Sequence, residues 1–138
     1  MANFATETEV RDKFQLTDTT LAPAALITTS IDDAHEEILR LLDPAYDVPT
    51  PDAALVSGEV LLAGAHALRS LASKDAAEQK HVSVGGSRID SGKRFDVLMA
   101  MAASAEERAW QTLEPFLLDR TSRQVADVTE TTPILGEE

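Results

Sequence analysis

The most chemically suggestive residues of this 138-residue chain are Asp32, His35 and Glu36, which share one predicted helix. Their spacing places two carboxylates and an imidazole on a common helix face, where they could bind a metal ion. A carboxylate-bridged bundle site would also need a matching Glu-x-x-His on a facing helix, and Ser57–Glu59 with His66 does not supply that pattern. We therefore expect a solvated helix face, with no metal and no cofactor.

No other residues form a recognisable catalytic arrangement. His66 and His81 lack an oriented nucleophile, so both are expected to be packed or surface residues. The segment Val84–Ser87 contains two glycines but has neither the spacing of a phosphate-binding loop nor a dinucleotide fingerprint. The chain has no cysteine, which excludes disulfides, thiolate metal sites and cysteine nucleophiles. The sequence therefore predicts a protein that is not an enzyme.

Charge and hydropathy narrow the range of partners. Twelve basic and 24 acidic residues give a formal charge of -12, which opposes binding to nucleic acid. The densest basic cluster is Arg88, Lys93 and Arg94, but Asp90 and Asp96 interrupt it. No run of 18 apolar residues is present, and the first residues are acidic where a signal peptide would be basic. We expect a soluble protein of a reducing compartment.

The length predicts one domain, and its core must be aliphatic because aromatic residues are only 4% of the chain. Thr6 and Glu9 have capping-box spacing, which predicts a short first helix at about Glu7 to Phe14. From Pro23 to Leu42 apolar residues recur at threes and fours, which predicts a long amphipathic helix. Asp43-Pro44 should end it.

A stiff, proline-containing connection is predicted from Asp43 to Pro51 and leads into a second long helix. Thr50 is the expected N-cap of this helix. Pro51 is expected at the first helical position, where the missing N–H is tolerated. The helix should extend from Asp52 to Ser73.

Small residues make up an unusual share of this second long helix. Gly58 and Gly64 each lower helix propensity by about 1 kcal/mol relative to alanine, so that close packing must compensate. Small side chains let a neighbouring helix or subunit backbone approach closely. We therefore predict a subunit interface that includes Gly58, Gly64 and Ala67.

A β-hairpin is predicted at about residues 80–92, because period-two alternation flanks a diglycine turn. An isolated two-stranded hairpin is marginal in water, so its strands should gain stability from the domain or from another subunit. This hairpin adds five residues to the predicted subunit interface: Val82, Val84, Gly85, Gly86 and Ile89.

A third long helix and a tail complete the predicted architecture. Ser91 is the expected cap of this helix, whose apolar face runs from Phe95 to Leu117 with Pro115 near its end. Residues 121–138 lose the helical periodicity and form an extended tail outside the domain at 1–120. The expected fold is mainly α, a small bundle of three to four helices with a short β-hairpin. The tail residues expected to bind a partner are Val125, Val128, Pro133, Ile134 and Leu135.

The order of these elements resembles the head-tail connector proteins of tailed bacteriophages, also called adaptor or head completion proteins. The resemblance rests on Thr20–Pro44, a helix that ends in Leu-Leu-Asp-Pro, and on the alanine-rich helix Asp52–Ser73. His81–Asp90, which runs into Phe95–Leu118, completes it. The likeness covers most of the chain, through patterns of residues and not through a short signature motif.

This resemblance implies a structural protein of the virion neck, assembled in the host cytoplasm. Members of the family form a closed ring, of twelve subunits, which docks on the portal protein and extends the DNA channel. The ring then offers a surface to a neck, stopper or tail protein. Closed rings need heterologous contacts between neighbours. An acidic channel wall would let DNA pass as cargo without sticking, and no membrane is involved.

Two alternatives stay open. A small cytoplasmic helical protein could bind or regulate a partner without forming a ring, and its oligomeric state would distinguish it. A metal- or ligand-binding helical enzyme built around Asp32, His35 and Glu36 is the third possibility, which the metal content of purified protein would test.

Overall fold

A computed structural model describes residues 3–79 and 87–118 of the chain. Within these two ranges the protein is mainly helical, as predicted, and contains no β-strand. None of the helices described combines the length and apolar character needed to cross a membrane. The four α-helices are α1 (Glu7–Phe14), α2 (Ala24–Leu41), α3 (Ala53–Gln79) and α4 (Ser87–Leu113), with short 3-10 turns at Pro44–Tyr46 and Glu114–Phe116.

Helix α1 has the bounds that its capping box predicts. The Thr6 hydroxyl accepts from the backbone N–H of Glu9, and the Glu9 carboxylate accepts from the backbone N–H of Thr6. Gln15 ends the helix in the left-handed region, with a φ of 57°. Two reciprocal hydrogen bonds therefore define the start of this short helix without help from its apolar face.

Helix α2 confirms the predicted long amphipathic helix, and its apolar face is buried at Ile27, Ile31 and Ile38. The connection that follows is extended only in part. Pro44–Tyr46 forms a 3-10 turn, because the Asp43 carboxylate accepts from a backbone N–H inside the turn. A capped turn with proline at its first position is stable enough to replace extended chain.

Helix α3 is capped by Asp52, so the prediction of Thr50 as its cap is wrong. The Asp52 carboxylate accepts from the backbone N–H of Ala54 at 2.9 Å, and its carbonyl accepts from that of Leu55. The helix also runs past the predicted end to Gln79. The added residues, Lys-Asp-Ala-Ala-Glu-Gln, are mostly good helix formers, which explains the extension.

The prediction of a second hairpin strand is wrong, because Ser87–Asp90 belongs to α4. The remaining hairpin residues, 80–86, lie outside the described part of the chain. Extending an anchored helix adds one hydrogen bond for each residue fixed, whereas a lone hairpin is marginal. Ser91 accordingly lies inside the helix and does not cap it. Helix α4 ends at Leu113, close to Pro115 as predicted.

Helix α3 is the centre of the bundle. Every residue from Gly58 to Ala65 is buried, so this part of the helix is covered on all sides. Helix α4 packs antiparallel along it: Gly58 lies against Leu113, and Arg69 pairs with Glu106. Helices α1 and α2 cover the remaining faces of α3.

After α4 the chain returns to the end of α2. The backbone N–H of Asp43 donates to the carbonyl of Phe116 at 2.9 Å, and that of Leu118 donates to the carbonyl of Leu41 at 2.7 Å. The ring of Tyr46 packs edge-on against Phe116, with centroids 5.0 Å apart. Leu118, the last residue described, is thereby held beside the C-terminal end of α2.

Candidate functional site

A buried carboxylate–imidazole pair joins α2 to α3. The Nδ1–H of His35 donates to Oε1 of Glu59 at 2.6 Å, and Glu59 has no exposed surface. The backbone N–H of Ala5 donates to the other carboxylate oxygen at 2.7 Å. The ring of Phe4 packs edge-on against the imidazole, with centroids 4.7 Å apart. We call these four residues the buried network, which ties the N-terminal segment to two helices.

Local sequence explains how the imidazole is placed. His35 follows Ile31 by four residues and precedes Ile38 by three, so that it falls on the apolar face of α2. Both isoleucines are buried. On the other side, the capping box at Thr6 fixes the turn that directs the Ala5 N–H toward α3.

Burial raises the pKa of Glu59 above its ordinary value of 4.5, because the ionised carboxylate loses its hydration. The hydrogen bonds from Ala5 and His35 favour the ionised form and offset part of that effect on the pKa. The Nε2 atom of His35 is buried and has no hydrogen-bond partner among the residues described. The tautomer with its hydrogen on Nδ1 satisfies the hydrogen bond to Glu59 and leaves only a lone pair at Nε2 without a partner.

This arrangement stabilises the packing of the bundle. Glu59 has no exposed surface and His35 is only 5% exposed, so the pair is enclosed between the N-terminal segment and two helices. Sequence reasoning considered Glu59 only in search of a Glu-x-x-His motif and missed the pair. The two residues are 24 positions apart, and the one available signal was a histidine on an apolar helix face.

The three side chains of the candidate metal site do not point to a common place. Asp32 is exposed and accepts a hydrogen bond from the side chain of Asn3 at 2.7 Å, while Glu36 is exposed on a neighbouring position. His35 instead points inward to Glu59. Within residues 3–79 and 87–118, no three His, Asp or Glu side chains are arranged to hold a metal ion.

The small residues of α3 are packed inside the chain. A methyl group at Gly64 would overlap the ring of Phe14, and one at Gly58 would overlap Leu113. Ala67 has no exposed surface. The close approach expected at the two glycines is therefore made by α1 and α4 of the same chain, and the burial of all three residues leaves little surface there for a second subunit.

Most other residues predicted to form interfaces lie outside the described ranges. Ile89 falls in α4. The residues outside those ranges are Val82, Val84, Gly85 and Gly86 of the interface, and Val125, Val128, Pro133, Ile134 and Leu135 of the tail.

A second polar cluster lies where α2, α3 and α4 meet. Arg69 donates to Glu106 at 2.6 Å, and the Nε2 atom of His66 lies 3.5 Å from a carboxylate oxygen of Glu37. The hydrogen bond from Arg69 lowers the pKa of Glu106, and the nearby His66 and Trp110 act in the same direction. Since these side chains are partly exposed, solvent screens them and they tie the helices only weakly.

Two grooves of opposite charge lie beside α4. The α2–α4 groove, of about 580 Å³, contains three carboxylates and the only tryptophan of the chain. Its lining residues are Glu37, Leu41, Glu107, Trp110, Gln111, Glu114 and Leu117. The α1–α4 groove, of about 660 Å³, contains two cations and no carboxylate. Its lining residues are Lys13, Phe14, Gln15, Leu61, Ala100, Met101, Ser104, Ala105 and Arg108.

Comparison of the chain with protein-family models, with curated proteins and with solved structures gave no match. A functional proposal therefore depends on the surface of the molecule itself. Helix α4 also exposes two large apolar side chains one helical turn apart, of which Met101 lines the α1–α4 groove as well. Val97 is 55% exposed and Met101 is 46% exposed, and we call this pair the α4 apolar strip.

Proposed function

We propose that this protein is a non-enzymatic structural subunit of a phage head-tail connector ring. Copies of the chain form a closed ring of about twelve subunits, which docks on the portal protein. The ring extends the DNA channel and presents a surface to a neck or tail protein. The order of the helices, which resembles that family, supports this proposal.

The α4 apolar strip is the observation that carries the proposal. Val97 and Met101 lie side by side on the surface of α4, and a subunit contact would bury them. In a closed ring, one face of each subunit meets a different face of its neighbour, so the strip needs no copy of itself to pair with.

The rest of the bundle supports a mechanical role. Helix α3 is enclosed by the other helices, and the buried network fastens the N-terminal segment to it. A rigid subunit of this kind transmits position from one neighbour to the next. The formal charge of -12 also fits a channel wall that repels DNA and lets it slide.

A pair of variants on α4 tests ring formation. Val97→Glu places a charge in the proposed contact, and Ala103→Glu places the same charge on a different, exposed face of the same helix. Mass photometry and negative-stain images should show rings of the natural protein and of Ala103→Glu. Val97→Glu should stay monomeric, and its helical circular dichroism signal should be unchanged. Rings of Val97→Glu would exclude the strip as the contact, and a natural chain that stays monomeric with portal present would refute the ring.

The tail, residues 121–138, is the part that we propose docks on the portal. Its apolar residues can anchor an extended segment in a partner's groove or along a sheet edge. Truncation after Arg120 should leave the helical signal unchanged and abolish association with portal-containing capsids. If the truncated protein binds capsids and supports tail joining at the normal yield, the tail is not the docking element.

The α2–α4 groove favours a second candidate function, that of a helical partner-binding protein without a ring. Trp110 beside Glu107 and Glu114 suits a lysine or arginine side chain, which can lie over the indole and pair with a carboxylate. Titration with a lysine- and arginine-rich peptide should then change Trp110 fluorescence with saturation. Glu107→Gln and Glu114→Gln should weaken the effect, and a flat titration would exclude this function.

A further inference from the structure

The α1–α4 groove is built for an occupant that is both apolar and acidic. Phe14, Leu61 and Met101 are among its apolar lining residues, and Lys13 and Arg108 add two positive charges to the lining. Neither cation forms a salt bridge within the described residues. In a chain with twice as many acidic as basic residues, a groove that carries only positive charge is a specific feature.

Residues 124–138 combine apolar and acidic side chains that complement the lining of the α1–α4 groove. Residues 124–138 contain four acidic residues and no basic residue. Within this stretch, Ile134 and Leu135 form an apolar pair, and Glu137 and Glu138 follow almost directly. The apolar pair matches the apolar lining of the groove, and the two carboxylates match its two cations.

We infer that residues 134–138 dock in the α1–α4 groove of their own subunit. The apolar pair covers Phe14 and Met101, and the carboxylates pair with Lys13 and Arg108. This docking concerns the free subunit and does not depend on the proposed ring. Portal binding, as proposed above, would draw the tail out of the groove.

The chain is long enough for this contact. Leu118 is held beside the end of α2, and the groove lies along α4 between Ala100 and Arg108. Moving from Leu113 back to Met101 along the helix covers about 18 Å at 1.5 Å per residue. Residues 119–133 span up to about 50 Å when extended. A tether with this slack gives an effective concentration of the order of millimolar, which favours the same subunit over a second copy in dilute solution.

Cysteine cross-linking tests the contact directly, because the natural chain contains no cysteine. Ser104→Cys, within the groove, is combined with Gly136→Cys in the tail, and the protein is oxidised at low concentration. A disulfide needs Cα atoms within about 7 Å, so rapid closure reports proximity. The matched control combines Gly136→Cys with Thr29→Cys, an exposed position on α2 that lines neither groove.

We expect the groove pair to close within one chain at least tenfold faster than the control pair, as seen on non-reducing gels of the monomer fraction. Lys13→Glu with Arg108→Glu should slow closure severalfold, and so should added salt. Equal rates for the groove and control pairs, or closure insensitive to both charge reversal and salt, would overturn the inference. Cross-linked dimers without intrachain closure would show that the tail binds a second copy instead. Intrachain disulfide formation is measured in the monomer fraction, so the result does not depend on whether the chain forms rings.

Discussion

Glu59→Met tests whether the buried network holds the bundle together. Methionine is similar in length and apolar, so most of the packing is kept while the carboxylate is removed. The backbone N–H of Ala5 and the Nδ1–H of His35 then stay buried without an acceptor. His35→Leu breaks the same pair from the other side and leaves the carboxylate with one donor.

The expected cost follows from the number of donors left without a partner. Each costs about 1–3 kcal/mol, which gives about 2–6 kcal/mol for the two that Glu59→Met leaves. Removing a desolvated carboxylate offsets part of this, and broken buried pairs typically cost about 3–5 kcal/mol. We expect Glu59→Met to lower the free energy of unfolding by about 3 kcal/mol at neutral pH. The double variant with His35→Leu leaves only the Ala5 donor, so its loss should fall below the sum of the two single losses by about 1–3 kcal/mol.

Urea unfolding measures these differences. Helical circular dichroism reports the bundle as a whole, and fluorescence of the single tryptophan, Trp110, reports α4 independently. Coincident transitions justify a two-state treatment. Glu59→Met combined with Thr29→Leu, at an exposed position of α2, serves as the control and should be additive within about 0.5 kcal/mol.

Two results would refute the reasoning. A coupling between Glu59 and His35 as small as that of the control would mean that the pair contributes nothing beyond separate packing. Stability of Glu59→Met equal to that of the natural protein would mean that an apolar side chain serves as well, and that the hydrogen bonds do not stabilise the fold.

Three further predictions concern other parts of the bundle. Gly64→Leu should lower the free energy of unfolding by about 1–3 kcal/mol or more, because the added side chain must displace Phe14. In urea unfolding this effect should exceed that of Ala67→Ser. Equal effects of the two substitutions would show that the ring of Phe14 moves aside freely. The pKa of Glu59 is raised, so as pH rises the folded protein keeps the carboxyl proton of Glu59 longer than the unfolded chain does. The contribution of Glu59 to the free energy of unfolding should therefore decline as pH rises above 4.5. Glu59→Gln should flatten that part of a plot of urea midpoint against pH. The pKa of Glu106 is lowered, so its effect on stability has the opposite pH dependence. The contribution of Glu106 to the free energy of unfolding is present above pH 4.5 and is lost as pH falls further. Glu106→Gln should therefore reduce the drop in urea midpoint on acidification.

Sequence reasoning succeeded where a helix carries its own boundary signals. The reciprocal bonds of Thr6 and Glu9 lie within one turn, and the proline after Asp43 forbids continuation of α2, so neither boundary depends on distant parts of the chain. The second strand of the predicted hairpin was wrong for the converse reason. A few alternating residues such as Ser87–Asp90 are compatible with a strand. Their helical conformation has the lower free energy only because a long anchored helix follows them.

The buried network could not be found from local pattern. Its members come from three separate segments, and the partner of His35 is determined by how α2 crosses α3. The same limit applies to Gly58 and Gly64, whose small size predicted a close contact correctly but not the partner. Phe14 and Leu113 fill those spaces, and a sequence pattern cannot distinguish an intrachain partner from a neighbouring subunit.

Tail docking and ring closure are linked through Met101, which lies both in the α1–α4 groove and in the α4 apolar strip. A tail docked in its own groove would cover Met101 and so compete with a neighbouring subunit for the strip. Truncation after Arg120 should therefore lower the concentration at which rings form in the absence of portal, because it removes the competitor without touching the contact. Mass photometry over a dilution series measures this concentration, with Lys13→Glu and Arg108→Glu in the full chain expected to shift it in the same direction. An unchanged or higher assembly concentration after truncation would mean that the tail does not compete for the strip.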